Sequence, residues 1–172
     1  MRTPRRFGRL LPSIALVRVL AVVGWAPAAQ AQTPPEHGRF SFPFEEIDPF
    51  LCPFPLQVSG QVSGHFTDFF DDAGNLTRVI VHFAGTAILS ANGISLSGSN
   101  RTNLFLLFDE SGNVIGKPQT GLNSKIKLPD GGVVGLDVGR IVFDPTTGEV
   151  LFQAGNWQLF SGDTAELCAA FS

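Results

Sequence analysis

The chain contains no tyrosine, one methionine and few charged residues, which make up 16% of its 172 positions. Soluble domains usually carry about 25% charged residues and about 7% glycine. Here glycine is in excess, with 19 residues. A chain this poor in charge is not typical of charged disordered proteins, and one this rich in glycine is not typical of helical bundles. The length and composition favour one all-β domain.

The sequence also lacks a recognisable catalytic or metal-binding motif. It has no G-x-S-x-G segment, and Ser63 and His65 are too close along one strand to act as nucleophile and base without an orienting acid. Asp71, Asp72 and Asn75 place oxygen ligands close together, but no segment has the full spacing of an EF-hand loop. We interpret such acidic segments as turns and expect no cofactor and no metal site.

Residues 1–31 have the pattern of a secretory signal peptide. The segment contains five arginines and no acidic residue, and it ends in the small-residue sequence Ala-Gln-Ala. Arg18 interrupts its apolar part, which leaves a run about half as long as the roughly 20 residues that a membrane helix needs. We expect cleavage after Ala31, secretion of residues 32–172, and no stable membrane insertion afterwards.

Loss of that segment makes the mature chain acidic. Seven basic residues remain against 15 acidic ones, a net charge of −8. Because the sequence shows no basic run that would neutralise phosphates, we expect neither a nucleic acid nor an anionic membrane surface as partner. The net charge neither indicates nor excludes a protein partner.

Cys52 and Cys168 both belong to the mature chain. In an oxidising compartment an even number of cysteines favours a disulfide, and two cysteines allow only one pairing. In the chain-entropy model, a bond that closes so long a loop contributes up to about 4.7 kcal/mol. Neither cysteine belongs to a C-x-x-C pair or lies in a cationic segment, so a structural disulfide is predicted.

Residues 32–55 are rich in proline and phenylalanine and contain six of the 12 prolines. Proline at this density excludes a helix and removes donors from a β-ladder. We therefore expect an extended arm that lies on apolar surface and is fastened by Cys52.

From Leu56 onward, apolar and polar residues alternate with a period of two, which is typical of half-buried strands. Segments 70–75, 108–113 and 143–149 combine Asp and Gly in the manner of hairpin turns with a bulge, and 91–93 and 129–132 are further turns. This spacing predicts an antiparallel meander of seven or eight strands within residues 56–172.

Two further features complete the predicted fold. Glycines at 60, 64, 85, 135 and 139 favour strong coiling of the strands, so we expect a closed or nearly closed barrel. Asp163 and Glu166 resemble a capping box that opens a short C-terminal helix at about 164–170.

Three side chains are candidate ligand contacts. If the apolar faces of their strands coincide, His65 lies opposite His82 on the polar face, where two imidazoles could bind a metal or titrate together near neutral pH. Without a third ligand they are simply solvent-facing strand residues. In the run 133–143, Arg140 shares the apolar face and is suited to a ligand carboxylate, or else extends to solvent at the strand end, whereas Asp137 is expected to face water.

The mature chain resembles a group of small secreted proteins of actinobacteria. The similar segments are turns, cysteines and strand ends: Cys52-Pro53-Phe54-Pro55, Phe69-Phe70-Asp71 with Gly74-Asn75, Leu128-Pro129-Asp130-Gly131-Gly132, Asp137-Val138-Gly139-Arg140, Phe143-Asp144, Gly162-Asp163 and Leu167-Cys168. That group has no assigned activity, so the resemblance implies structure and no chemistry. In outline the predicted barrel is similar to calycin-like and allene-oxide-cyclase-like barrels, a likeness of fold that supplies no site residue.

Together these features favour a secreted, non-catalytic module whose Phe-rich interior binds a small hydrophobic molecule. The alternative is an extracellular structural or interaction protein with a filled core. A third hypothesis, a cofactor-free cyclase or isomerase, needs a polar group on the interior lining, for which Arg140 is the candidate.

Overall fold

The computed structural model describes residues 33–172, so the predicted signal peptide at 1–31 lies outside the described residues. Seven antiparallel strands form one sheet in chain order, and one short helix follows. The all-β prediction is confirmed in these respects. The elements are β1 (Glu36–Asp48), β2 (Leu56–Phe70), β3 (Leu76–Ala91), β4 (Ile94–Phe108), β5 (Val114–Lys127), β6 (Val133–Phe143), β7 (Val150–Trp157) and α1 (Ala165–Ala169).

Most of the predicted arm is the first strand of the sheet. β1 pairs with β2 along its whole length, from Glu36 opposite Asp68 to Asp48 opposite Leu56. Within the described residues β1 pairs on one side only, so Pro43 removes a donor at an edge, the position where a sheet tolerates proline. The sequence analysis began the strands at Leu56 and missed β1 because proline density outweighed the alternation of Phe40, Phe42 and Phe44.

The hairpin turns form as their Asp and Gly residues predict. In the turn between β2 and β3, the Asp71 carboxylate accepts hydrogen bonds from the backbone N–H groups of Ala73 and Asn75, at 2.9 and 2.8 Å. Gly74 closes this turn with φ of 85°, a conformation that glycine adopts without strain. In the turns before β5 and β7, the carboxylates of Asp109 and Asp144 likewise each accept hydrogen bonds from two backbone N–H groups of their own turn.

A row of glycines crosses the later strands. Gly121 lies opposite Gly139, and Gly139 lies opposite Gly155. A Cβ atom on Gly121 would lie 2.5 Å from the backbone oxygen of Arg101, so the strands approach too closely there for any side chain. The row removes bulk from one face and permits the sheet to curl. Within residues 33–172 no pairing joins β7 to β1, so closure into a barrel stays a prediction.

One end of the curled sheet is covered by the segment after β1 and by the C-terminal helix. The predicted disulfide joins them, with 5.6 Å between the Cα atoms of Cys52 and Cys168. Leu167 of the helix and Phe171 after it are fully buried against this end of the sheet, together with Leu56. Within the described residues, no helix is long and apolar enough to cross a membrane.

The helix itself forms without the predicted capping box. Thr164 occupies the N-cap position, one residue after Asp163, and makes no side-chain capping hydrogen bond. Packing of Leu167 and the disulfide at Cys168 therefore hold a helix that is too short to be stable alone.

Candidate functional site

A cavity of about 260 Å³ lies on the concave face of the sheet. Its lining comes from β1 to β5 and from the segments that cover the end of the sheet. Val62 of β2 and Leu89 of β3 contribute apolar surface, and Ile126 of β5 lies across from them. Further apolar lining comes from Phe44, Leu51, Val58, Ala87 and Leu159.

Glu46 of β1 and a β-bulge between β4 and β5 contribute polar groups to the wall. The register passes from Ser99 opposite Lys125 to Arg101 opposite Leu122, so two residues of β5, Asn123 and Ser124, face the single residue Asn100 of β4. Bulges redirect side chains in this way. Asn100, Asn123 and Ser124 all line the cavity at this point. The alternation of residues along the sequence carries no signal for the bulge, and the sequence analysis missed all three.

The side-chain oxygen of Asn100 is buried and has no hydrogen-bond partner within residues 33–172. It lies over Gly85, where a Cβ atom would come within 3.0 Å of it. Asn123, by contrast, accepts a hydrogen bond from the amide of Gln119. Buried polar groups in folded proteins almost always have a partner, so Asn100 is the exceptional group of this wall.

Asp137 does not line the cavity, but it binds the backbone of Leu159, which does. It is 4% exposed and accepts hydrogen bonds from the backbone N–H groups of Leu159, at 2.8 Å, and Phe160, at 3.2 Å. Burial raises the pKa of the Asp137 carboxyl, while the two N–H groups oppose that shift. The expectation that Asp137 faces water is wrong, because its neighbour on β5 is Ser124, which lines the cavity.

Arg140 does not line the cavity. It is exposed and lies opposite Thr120 and Ala154, with its guanidinium carbon 5.6 Å from the centre of the Phe152 ring. The sequence analysis placed Arg140 on the inner face because β6 is apolar on both faces. The alternation within β6 does not show which of its two faces turns toward the cavity. Its pairing with β5 shows this, because Asp137 lies opposite Ser124, which lines the cavity.

His65 and His82 lie opposite each other, as their spacing predicts. Their rings stack with centroids 4.8 Å apart, and the His82 Nδ1–H group donates to Asn103 Oδ1 at 2.6 Å. Both side chains are on the outer face, away from the cavity. No group of three or more His, Cys, Asp or Glu side chains suited to a metal ion occurs in the part of the chain that is described.

The acidic turn at Asp71, interpreted from the sequence as a hairpin turn, uses the Asp71 carboxylate for hydrogen bonds within the turn. Asp71 accepts from Ala73, from the backbone of Asn75 and from the Asn75 side chain at 3.0 Å. These hydrogen bonds, that of the Asn75 side chain foremost, hold the pKa of Asp71 below its usual value. The turn geometry thus accounts for the acidic residues without a cation.

Comparisons with protein-family models, with curated proteins and with solved structures gave no match. Any functional inference therefore depends on the residues of this chain.

Proposed function

We propose that the mature chain is a secreted, non-catalytic module that binds a small, largely apolar molecule in the concave cavity. The observation that carries this proposal is the cavity itself, about 260 Å³ between apolar side chains, with the unpartnered side-chain oxygen of Asn100 in its wall. Ligand sites are typically apolar concavities in which a few polar groups fix orientation. Because pockets for drug-sized ligands measure about 300–1,000 Å³, this cavity suits a ligand smaller than those.

Asn100 adds one chemical requirement to the ligand. A buried polar atom left without a partner costs about 1–3 kcal/mol. A ligand hydroxyl or N–H group that donates to Asn100 Oδ1 removes this cost. The terminal torsion of asparagine is soft, so the amide can turn toward a ligand in the cavity. We expect an apolar body with one hydrogen-bond donor.

In this proposal the curled sheet encloses the ligand as a barrel would. Phe44 and Glu46 of β1 line the same cavity as Asn123 and Ser124 of β5. Strands four places apart in the sheet thus face one space, which supports enclosure of a ligand even without pairing between β1 and β7.

Export by the N-terminal segment is part of the same proposal. A disulfide between Cys52 and Cys168 is consistent with an extracellular protein. N-terminal sequencing of the protein recovered from the medium of a secreting host should begin at Gln32. A protein that retains residues 1–31 would contradict the proposed cleavage.

The cyclase or isomerase hypothesis is not carried forward. It needs a polar group on the interior lining, and Arg140, the residue suggested for that role, lies on the outer face. The alternative of a structural protein with a filled core becomes an outcome of the binding experiment.

The test compares two probes that differ by one donor, 1-octanol and octyl methyl ether, in calorimetric titrations of the disulfide-bonded protein. We expect 1-octanol to bind about tenfold more tightly, the equivalent of one hydrogen bond to a buried group. Asn100→Leu should abolish this preference, while the control Asn156→Leu, on an exposed strand, should keep it. Equal affinities in the unmodified protein, or no binding, would overturn the proposal and favour the filled-core alternative.

A further inference from the structure

The outer face of the sheet carries a concentration of positive charge that the net charge of the protein conceals. Strand register places six of the seven mature basic residues on this face, and only one acidic strand residue, Glu45, shares it. The six are Arg39, Arg78, Arg101, Lys125, Lys127 and Arg140. We call this face, with those six residues, the basic wall.

Acidic residues are segregated from the basic wall. Five lie on strand positions of the concave face, and the other nine lie in turns, in loops or at the helix. The turns at Asp71, Asp109 and Asp144 are at one end of the strands, and Asp130 and Glu166 are at the other. A polyanion is therefore repelled by both ends of the strands and attracted to the wall between them.

Two shallow hollows lie on the basic wall, and the first begins at the edge strand β1. One hollow is lined on the outer side by His37, Arg39 and Ser41 of β1 and by Ser63 and His65 of β2. A second hollow begins at Ser63 and His65 and continues across the sheet. It ends among His82, Ala84, Arg101 and Asn103. The two hollows form one shallow track that crosses β1 to β4.

We propose that the basic wall binds a linear acidic polysaccharide along this track. Neutral hydrogen-bonding groups alternate with the cations, as in the pair formed by Gln61 and Ser41, whose side chains lie 3.0 Å apart. Hydroxyl and amide groups between cations suit a chain that carries hydroxyls and carboxylates together. This binding is independent of the concave cavity, which opens on the opposite face of the sheet.

Other polyanions fit the wall less well. Single-stranded nucleic acids bind where bases stack on exposed aromatic side chains. The aromatic rings that face outward on the track are histidines, and two of them, His65 and His82, already stack on each other. The wall is the convex side of a curled sheet, so a flat bilayer would touch only part of it. A flexible glycan chain can follow the curvature.

The experiment measures binding of the folded protein to polygalacturonate and to its fully methyl-esterified form, which has the same backbone without charge. We expect binding to the acidic polymer only, and expect it to weaken steeply as salt rises from about 0.05 M to about 0.5 M. Equal binding of both polymers would overturn the proposal. Tighter binding to single-stranded DNA or to anionic phosphatidylglycerol vesicles would also overturn it.

A pair of single substitutions tests the location. Arg101→Gln removes a charge from the β4 end of the track, and Lys117→Gln removes the same charge elsewhere, near the backbone oxygen of Pro145. We expect the first to weaken binding about fivefold or more and the second less than about twofold. Equal effects would show that net charge alone determines binding and would contradict the assigned track. Arg101 is exposed and Lys117 is half-buried in β5, so circular dichroism of each variant is compared with that of the unmodified protein and should match it.

Discussion

The carboxylate of Asp137 and the backbone N–H of Leu159 are joined by a 2.8 Å hydrogen bond between two residues that are both almost fully buried. This contact connects β6 to the segment after β7 and places the Leu159 side chain against the cavity. A buried acid thus supports the proposed site structurally, without facing the ligand itself.

Replacement of Asp137 should separate its acceptor role from its charge. Asp137→Ala leaves the N–H groups of Leu159 and Phe160 without a partner, so we expect a loss of about 2–4 kcal/mol in the free energy of unfolding. Asp137→Asn keeps an acceptor oxygen and should cost less than about 1 kcal/mol at neutral pH. Urea denaturation measures both. Equal losses for the two variants would contradict the assigned role.

The same residue predicts a dependence on pH. Because burial raises the native pKa of Asp137 above its ordinary value of 3.8, the native state holds this proton more tightly than the unfolded chain does. The contribution of this group to stability therefore falls as pH rises from 3.8 through the native pKa. Relative to the unmodified protein, Asp137→Asn should gain stability as pH rises from 3.8 through the raised native pKa of Asp137. A difference that stays constant over this range would contradict the raised pKa.

The turn aspartates should show the opposite sign. Hydrogen bonds to backbone and side-chain groups of their turns lower the pKa values of Asp71, Asp109 and Asp144. Their contribution is present above the ordinary value of 3.8 and is lost as pH falls through the lowered native pKa values. We expect the triple variant with Asn at these positions to lose less stability on acidification than the unmodified protein. Parallel acid-denaturation curves would show that these turns do not contribute.

Much of this architecture could be predicted from local sequence. The Asp and Gly residues of the hairpins have short-range roles, so turn positions and the pairing of His65 with His82 follow from spacing. β1 could not be assigned from its composition, since only its partner β2 supplies the ladder that outweighs proline. The disulfide pairing needed no geometry, because two cysteines allow one bond.

The candidate site was harder to predict than the fold. The bulge that sets Asn123 and Ser124 against Asn100 depends on the relative register of β4 and β5, which neither strand encodes alone. The inward direction of Asp137 and the outward direction of Arg140 likewise follow from pairing across the sheet. Long-range register, which local alternation does not contain, determined each of these positions.

The close approach of strands at Gly121 predicts a sharp difference between two glycines of β5. Gly121→Ala places a Cβ atom 2.5 Å from the backbone oxygen of Arg101 at φ of 118°, so we expect a loss of more than about 2 kcal/mol. In Gly116→Ala the nearest atom is 3.3 Å away on the flexible Leu107 side chain, and the loss should stay below about 1 kcal/mol. Thermal unfolding compares them. Similar melting temperatures would show that the glycine row is not required for the curl.

The disulfide should contribute substantially to stability because it closes a loop with a sequence separation of 116. We expect the double variant Cys52→Ser and Cys168→Ser to lose about 3–5 kcal/mol. Treatment of the unmodified protein with a reductant under denaturing conditions should lower its unfolding midpoint to a similar extent. An unchanged midpoint in the double variant would mean that packing of Leu167 and Phe171 alone closes this end of the sheet.

A crystal structure of the protein soaked in 1-octanol tests the central claim most directly. The account predicts an octanol molecule in the concave cavity, with its hydroxyl about 2.7 Å from Asn100 Oδ1 and its alkyl chain among Val62, Leu89 and Ile126. A cavity that remains without octanol at saturating concentration, or an octanol hydroxyl turned away from Asn100, would contradict it.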